Sequence, residues 1–454
     1  MGRLLIDLRP VRESPAFRRL LAGSTLSAVG NSMTSFAVIL QVFEVTHSSF
    51  AVGAIGIARV VPMLVVGLLG GSLVDAFDRR RLVLLTTSCL AVVSAALAAQ
   101  AFAGLDDVWL LYGLVAVQSA LSAINTPARQ TFIPRLLRAD QLAAGLALNR
   151  LSFQVMLVIG PALAGLITTA GGLRACYLAD TISFAAALYG IAGLPTMRPH
   201  DDVGRPGLRA AAEGISFIGR SRILAGAFLT DLSATVFGLP VALFPAINAE
   251  RFGGSASTLG LFTAAVGFGG LISSVFSGPV GHVRRQGLAM LVSASIWGAA
   301  FAGFALAPFL WLALGLLGVA GAADTFTVVF RSAIVQSVTP ERFRGRVLAA
   351  DYVVGAGGGE VGNIEAGTVG SLASPTIGVL SGGLATIASA AVISIALPAF
   401  ARYIRQPGAT EAPTAEQPMP EPDFGRKKKR SLRATGRRDD GLRARRTGAT
   451  EGDV

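Results

Sequence analysis

Charge is scarce in this chain. Only 15% of its 454 residues are Asp, Glu, Lys or Arg, against about 25% in a typical soluble domain. That shortage excludes an ordinary water-soluble globule, which would lack the polar surface to cover itself, so lipid must act as solvent for much of the chain. Cysteine and histidine are scarcer still. Cys89 and Cys176 lie in apolar runs, and His47, His200 and His282 stand far apart, so neither a disulfide framework nor a metal-ligand spacing is present. Lysine is absent before Lys427. Clustered nucleophiles and facing acids of recognisable spacing are missing too, which argues against a membrane-embedded enzyme. No metal and no cofactor is expected.

Apolar and small residues are plentiful: 52% are hydrophobic, 54 are glycine, and the mean hydropathy is +0.61. Small side chains let membrane helices approach closely. Apolar runs of about 20 residues, enough to cross the hydrocarbon core as helices, recur from Leu20 to Phe400. They lie near 18–42, 50–74, 82–104, 109–132, 143–170, 176–194, 223–247, 257–280, 288–307, 310–334, 347–372 and 376–400. The expected fold is an all-α membrane protein with twelve transmembrane helices. Residues 1–194 make an N-terminal six-helix half, 195–222 a cytoplasmic linker, 223–405 a C-terminal six-helix half, and 406–454 a disordered basic tail. The glycine-rich tenth and eleventh runs are expected to allow kinks. Within the linker, Leu208 to Ile218 reads as a short amphipathic helix on the inner membrane surface.

Arginines sort the loops into two sets. One set holds Arg79, Arg80 and Arg81; Arg129, Arg135 and Arg138; Arg198, Arg205, Arg209, Arg220 and Arg222; Arg284 and Arg285; and Arg342, Arg344 and Arg346. The alternate loops hold only Arg174 and Arg251, with the acidic pair Asp106 and Asp107. Basic loops stay on the cytoplasmic side, which puts both termini in the cytoplasm of a bacterium and requires an even number of spans. The first run lacks a small-residue cleavage site, so a removed signal peptide is not expected. The net charge of +12 suggests nucleic acid, but Arg426 to Arg446 carries eleven basic residues and two acids, and so supplies nine of those charges. Nucleic acid is therefore not an expected partner. Anionic lipid headgroups suit the tail, at about 1 kcal/mol per basic residue near the surface; a solvated anchoring segment is the alternative.

Two six-span halves joined by a long loop suggest the major facilitator architecture. Gly71-Ser-Leu-Val-Asp75-Ala-Phe-Asp78-Arg79-Arg80-Arg81 resembles that superfamily's signature after the second span. It departs from the usual pattern at Ala76, where an arginine is common, and at Asp78, where a glycine is. The resemblance implies a conformational latch of Gly71, Asp75 and the three arginines; a plain positive-inside loop is the other reading. Gly160-Pro161-Ala-Leu-Ala-Gly165 resembles the antiporter signature of the fifth span, in which proline bends the helix and glycine permits tight packing. Asn125 to Pro134, Pro340 to Val347 and Gly362 to Gly367 are similar to the enterobactin-exporter and macrolide-efflux-like branch. From about Phe17 to Arg402 this likeness implies proton-linked export of a small amphipathic compound such as a siderophore or drug.

Ionisable groups at membrane depth are costly and tend to line a pathway. Asp231, Asp324, Glu360 and Glu365 are the candidates for coupling, with Arg59 and Arg331 as counter-ions and Asn31 as a polar residue where some relatives carry an acid. Asp180, Asp351 and Arg331 lie nearer the ends of their runs and rank lower. A carboxylic acid in apolar surroundings favours its neutral form, which suits reversible protonation; a structural ion pair between helices is the alternative. Gly357-Gly-Gly359-Glu-Val-Gly362 fits a dinucleotide fingerprint but lies within a span without a βαβ unit, so a flexible or broken helix is expected. The function expected is a secondary transporter for a small molecule, coupled to protons. The alternatives are an importer or uniporter of the same fold, or a receptor or scaffold derived from one.

Overall fold

The computed structural model describes residues 7–69, 78–194, 208–276 and 283–404, and every element among them is helical. In the N-terminal half, α1 is Pro15–Thr46, α2 Ser49–Leu69, α3 Arg79–Ala103, α4 Val108–Gln130 and α5 Leu142–Ala192. Polar residues between the apolar runs start the helices. Ser14 accepts from the Phe17 amide, Asp78 from that of Arg81 and Asp107 from that of Trp109, each satisfying a backbone donor left free by the first turn. Asp107, one of the acidic loop pair, is thus a cap.

α5 is two helices in one. Gly172 has φ +73°, a left-handed value that favours glycine, and the chain reverses there. Its first arm runs alongside α1, with Gly145 near Phe17 and Gly160 near Ser32; its second runs back, with Asp180 near Gly30 and Gly190 near Arg19. A Cβ on Gly23 would lie 2.4 Å from the Ala186 carbonyl oxygen, and one on Gly190 2.7 Å from that of Arg19. Glycine is what permits α1 to sit this close.

After the connecting helix α6 (Leu208–Arg220), the C-terminal half comprises α7 Arg222–Gly238, α8 Phe244–Arg251, α9 Ala256–Val275, α10 Gln286–Leu306, α11 Leu310–Val338, α12 Glu341–Leu372 and α13 Pro375–Ala396. The apolar run at 223–247 is not one helix. Helix α7 stops at Gly238, and the chain passes Leu239 and Pro240 into a 3-10 turn before α8, because proline supplies no amide for the ladder and its ring crowds the preceding turn. The reverse correction applies to α12. Its glycine run stays helical from Glu341 to Leu372. These glycines serve contact: a Cβ on Gly362 would lie 2.2 Å from the Thr235 carbonyl oxygen of α7.

Among the described residues ten helical segments, with Arg222–Arg251 taken as one across its turn, are long and apolar enough to cross a membrane. Large apolar side chains such as Val92, Ile182, Val392 and Ile395 stand exposed on α3, the second arm of α5 and α13, a surface that suits lipid. Helix α6 forms as expected, yet its apolar side meets protein. Ile218 is buried with Phe228, Val335 and Val347, Phe217 stacks on Phe343 with centroids 4.5 Å apart, and Glu213 lies 3.2 Å from Arg346.

The halves touch along two seams, α2 against α12 and the first arm of α5 against α9. The order of contacts fixes their direction. Gly53 meets Gly367 and Gly56 meets Glu360, while Gly165 meets Ser257 and Gly267 meets Leu157. The Gly53–Gly367 and Gly165–Ser257 approaches lie toward the end at which α1 leads into α2 and α12 into α13, the distal end, and Gly267–Leu157 lies near the middle of its helices. Ser14 and Tyr403 lie at the other, terminal end, bonded to Leu136 and Ser337 respectively.

Candidate functional site

Two groups of charges lie within the helical bundle. The first belongs to the C-terminal half. Asp231 on α7 and Arg331 on α11 are both buried, with Arg331 Nε 3.4 Å from Asp231 Oδ1. The same guanidinium donates through Nη1 to Asp351 Oδ1 on α12, and its carbon stands 5.9 Å from the Phe228 ring centroid. One cation therefore bridges acids from two other helices. Asp324 precedes Arg331 by seven residues on α11, two turns along the same face, and is half-buried. Among the described residues Asp324 makes neither a hydrogen bond nor an ion pair. Arg150, on the first arm of α5, is within electrostatic reach of it.

The second group spans the halves. Arg59 Nη1 on α2 lies 3.6 Å from Glu360 Oε1 on α12, each about one-quarter exposed. Asn363 donates weakly to the other carboxylate oxygen across 3.5 Å, and the Arg59 carbonyl accepts from Ser119 of α4. Glu365, half-buried, has no ion pair among the described residues; it faces away from this pair, five positions along the helix. Asn31 on α1 accepts from Gln118 of α4 at 2.9 Å and touches neither group.

Asp180 is fully buried, but among hydroxyls: Thr34 and Ser94 donate to it at 2.7 and 2.8 Å, and Ser183 more weakly. It ties the second arm of α5 to α1 and α3. Nearby, Gln41 and Gln100 exchange amide hydrogen bonds and Tyr177 donates to Gln41. These are packing contacts of the N-terminal half.

Of the latch residues, Gly71 and Asp75 lie outside the described residues. Arg80 donates to the Ala192 carbonyl at 2.6 Å, so it joins α3 to the end of α5 within one half, while Arg81 is exposed and Arg79 is half-buried. The Gly160-Pro161-Gly165 segment touches both sides of α5. Gly160 packs on Ser32 of α1, whereas Pro161 and Gly165 pack on Gly260 of α9 across the seam. Asn125 bonds Thr86 and Thr87 of α3.

Arg150 is the residue that sequence reading missed. An arginine within an apolar run near 143–170 carries the same signal as Arg59, and it was concealed only by its closeness to the basic loop before it. The structure leaves it exposed beside Phe153.

Residues 7–424 match the family described as transmembrane secretion effector. The chain belongs to that family, within the major facilitator superfamily of transporters. It is similar to the enterobactin exporter EntS of Shigella boydii serotype 18, with 26% identity over 344 residues covering 76% of this chain and 82% of the relative. EntS of Escherichia coli O139:H28 gives the same figures. Among solved structures, the fold is similar to the nucleoside transporter NupG, with a TM-score of 0.66 and 13% identity over 86% of this chain and 99% of that one. It is also similar to a bacterial homologue of the iron transporter ferroportin in an inward-facing state, with a TM-score of 0.63, 16% identity and coverage of 85% and 98%. The protein is thus a multi-pass membrane transporter and not an enzyme.

Proposed function

We propose that this transporter is a proton-coupled exporter of a small amphipathic compound, a siderophore, drug or metabolite, working by alternating access in the cytoplasmic membrane of a bacterium. Twelve spans are the reading that fits best: the ten apolar helices, with Leu142–Ala192 counted as two at its Gly172 reversal, and α12, whose 32 residues extend about 48 Å despite their charges. An even count and the arginine-rich loops support cytoplasmic termini. The two seams support a division into halves 1–194 and 223–405.

The observation that carries coupling is the Arg331 cluster. Asp231 and Asp351 share one guanidinium and Asp324 has no partner, so acids outnumber base at membrane depth, where net charge is expensive unless protonated or wet. A proton can drive a conformational change only if the two conformations hold it with different affinity. Rearranging α7, α11 and α12 changes which acid shares Arg331 and supplies that difference. The Arg59–Glu360 pair adds a second element: it crosses the α2–α12 seam, so opening the distal end must break it. The relatives' names support export as the direction.

Asp231→Asn and Glu360→Gln keep shape and remove titration. In inverted vesicles, with a panel of siderophores and fluorescent dyes, at least one is expected to abolish gradient-driven accumulation while passive exchange continues. If both variants pump normally between about pH 6 and pH 8, the coupling site lies elsewhere. Solute flux without proton flux in the unaltered protein would make it a uniporter.

A further inference from the structure

A cavity of about 200 Å³ lies in the N-terminal half, between the terminal ends of α1 and α4 and the first arm of α5. Phe17, Leu20, Phe153 and Met156 give it an apolar wall. Among the described residues Arg129 is the one charged residue lining it, and no carboxylate does. Among the described residues the Arg129 side chain makes no hydrogen bond and no ion pair, and its Nε is enclosed without a partner. A second cation reinforces the same wall: the Arg150 guanidinium carbon stands 5.5 Å from the Phe153 ring centroid.

The polar lining has a consistent bias. Ser24, Thr25 and Ser152 donate their hydroxyl protons to carbonyls one turn back on their own helices. The Asn125 amide is committed to Val83, Thr86 and Thr87. Thr126 and Asn149, which make no side-chain hydrogen bond among the described residues, keep donors available beside Arg129. A half-buried guanidinium with an enclosed Nε and no anion is costly, and a guanidinium offers a carboxylate or sulfonate two parallel N–H donors. The apolar wall opposite suits the rest of an amphiphile.

We infer that this cavity is a subsite for the anionic head of an amphipathic solute, with Arg129 on the anion and the apolar body against Phe153 and Met156. The inference rests on the proposed transport function only in taking the occupant to be a transported solute. A phospholipid headgroup has the same chemistry, and the test separates the two.

The test uses the full chain in nanodiscs of zwitterionic lipid, with empty discs as blank and no gradient. The probes are 8-anilinonaphthalene-1-sulfonate and its uncharged counterpart N-phenyl-1-naphthylamine. The sulfonate is expected to bind saturably, about tenfold more weakly in Arg129→Gln and within about threefold of the original in Arg129→Lys, while the uncharged probe binds all three alike. Thr126→Trp, which fills the exposed rim and keeps the arginine, is expected to weaken both probes and serves if Arg129→Gln fails to fold. Unchanged sulfonate binding in Arg129→Gln, equal loss of both probes there, or full binding in Thr126→Trp overturns the subsite. Phosphatidylglycerol added to the discs is expected to lower sulfonate binding equally with and without Arg129. A loss confined to chains that keep Arg129 would assign the cavity to lipid and overturn the solute reading. Binding intact in a chain that fails to pump would refute the transport proposal and leave the subsite standing.

Discussion

Arg331→Gln removes the one cation that Asp231 and Asp351 share. Across 3.4 Å the Arg331–Asp231 attraction is about 5 kcal/mol gross at an effective dielectric near 20. Relief of the arginine's own desolvation returns part of this, and removing one partner of a buried pair costs about 3–5 kcal/mol net. Asp351, with 30% of its side chain exposed, is partly rescued by water, whereas Asp231 at 7% is not. The expected loss is therefore at the low end, about 3 kcal/mol, and corresponds to a melting point lowered by about 3–4 °C. Cys176 reports the transition, being fully buried and open to a thiol-reactive dye only on unfolding; Cys89 is first replaced by alanine. The sign with pH follows from charge. The deficit is largest where the orphaned carboxylates are ionised and shrinks as they take up protons, so it is greater near about pH 8 than near about pH 5. Adding Asp231→Asn to Arg331→Gln removes the stranded charge and recovers at least half of the loss. A variant that melts with the original protein, or a second substitution that restores nothing, refutes the view that Arg331 compensates these acids.

Two further outcomes follow. At Gly165 a Cβ would lie 2.7 Å from the Ala256 carbonyl oxygen and 3.1 Å from the Ser257 Cα; backbone cannot yield as a side chain can, so Gly165→Val should part the α5–α9 seam. A cysteine introduced at buried Ser49, on the other seam at the distal end, then reacts faster with a membrane-impermeant reagent, and an unchanged rate would mean that this seam does not hold the distal end closed. Asp75→Asn, at the proposed latch, is expected to lower transport while membrane abundance stays near normal; full transport would show that the resemblance at this loop carries no mechanism here.

The helices themselves were legible because lipid requires long apolar runs, and those runs survive in the sequence whatever the tertiary packing. Their interruptions were harder to see. Hydropathy passes straight through Leu239 and Pro240, so 223–247 reads as one unbroken helix; it is one membrane-length segment, Arg222–Arg251, but α7 ends at Gly238 before the proline. The opposite error arose at Gly355 to Gly362. Glycine lowers helix propensity in water, which suggested a break, yet each backbone hydrogen bond has no substitute in lipid, and close packing on Thr235 and Val236 holds the ladder. The reversal at Gly172 is legible, because the runs 143–170 and 176–194 leave a short connection with Arg174 around it; that a single left-handed glycine makes the turn is not.

The acids of the Arg331 cluster, and Arg331 as a counter-ion, are legible one by one because each is conspicuous at membrane depth; which acids share the arginine is not. Hydropathy places Arg331 and Asp351 near the ends of the runs 310–334 and 347–372. Helix α11 continues to Val338 and α12 begins at Glu341, so Arg331 lies seven residues from its helix end and Asp351 ten from its start. Both are inside because polar turns extend each helix past the point where hydropathy falls. What then joins them is a crossing of three helices, with Gly358 and Gly362 bringing α12 against α7 and so aligning Asp351 with Asp231 on the two sides of one guanidinium. A charge count along any single span would leave each of these residues unpaired. The compensation exists only between spans, and for the same reason a shift of α12 against α7 alters the electrostatics of all three groups together.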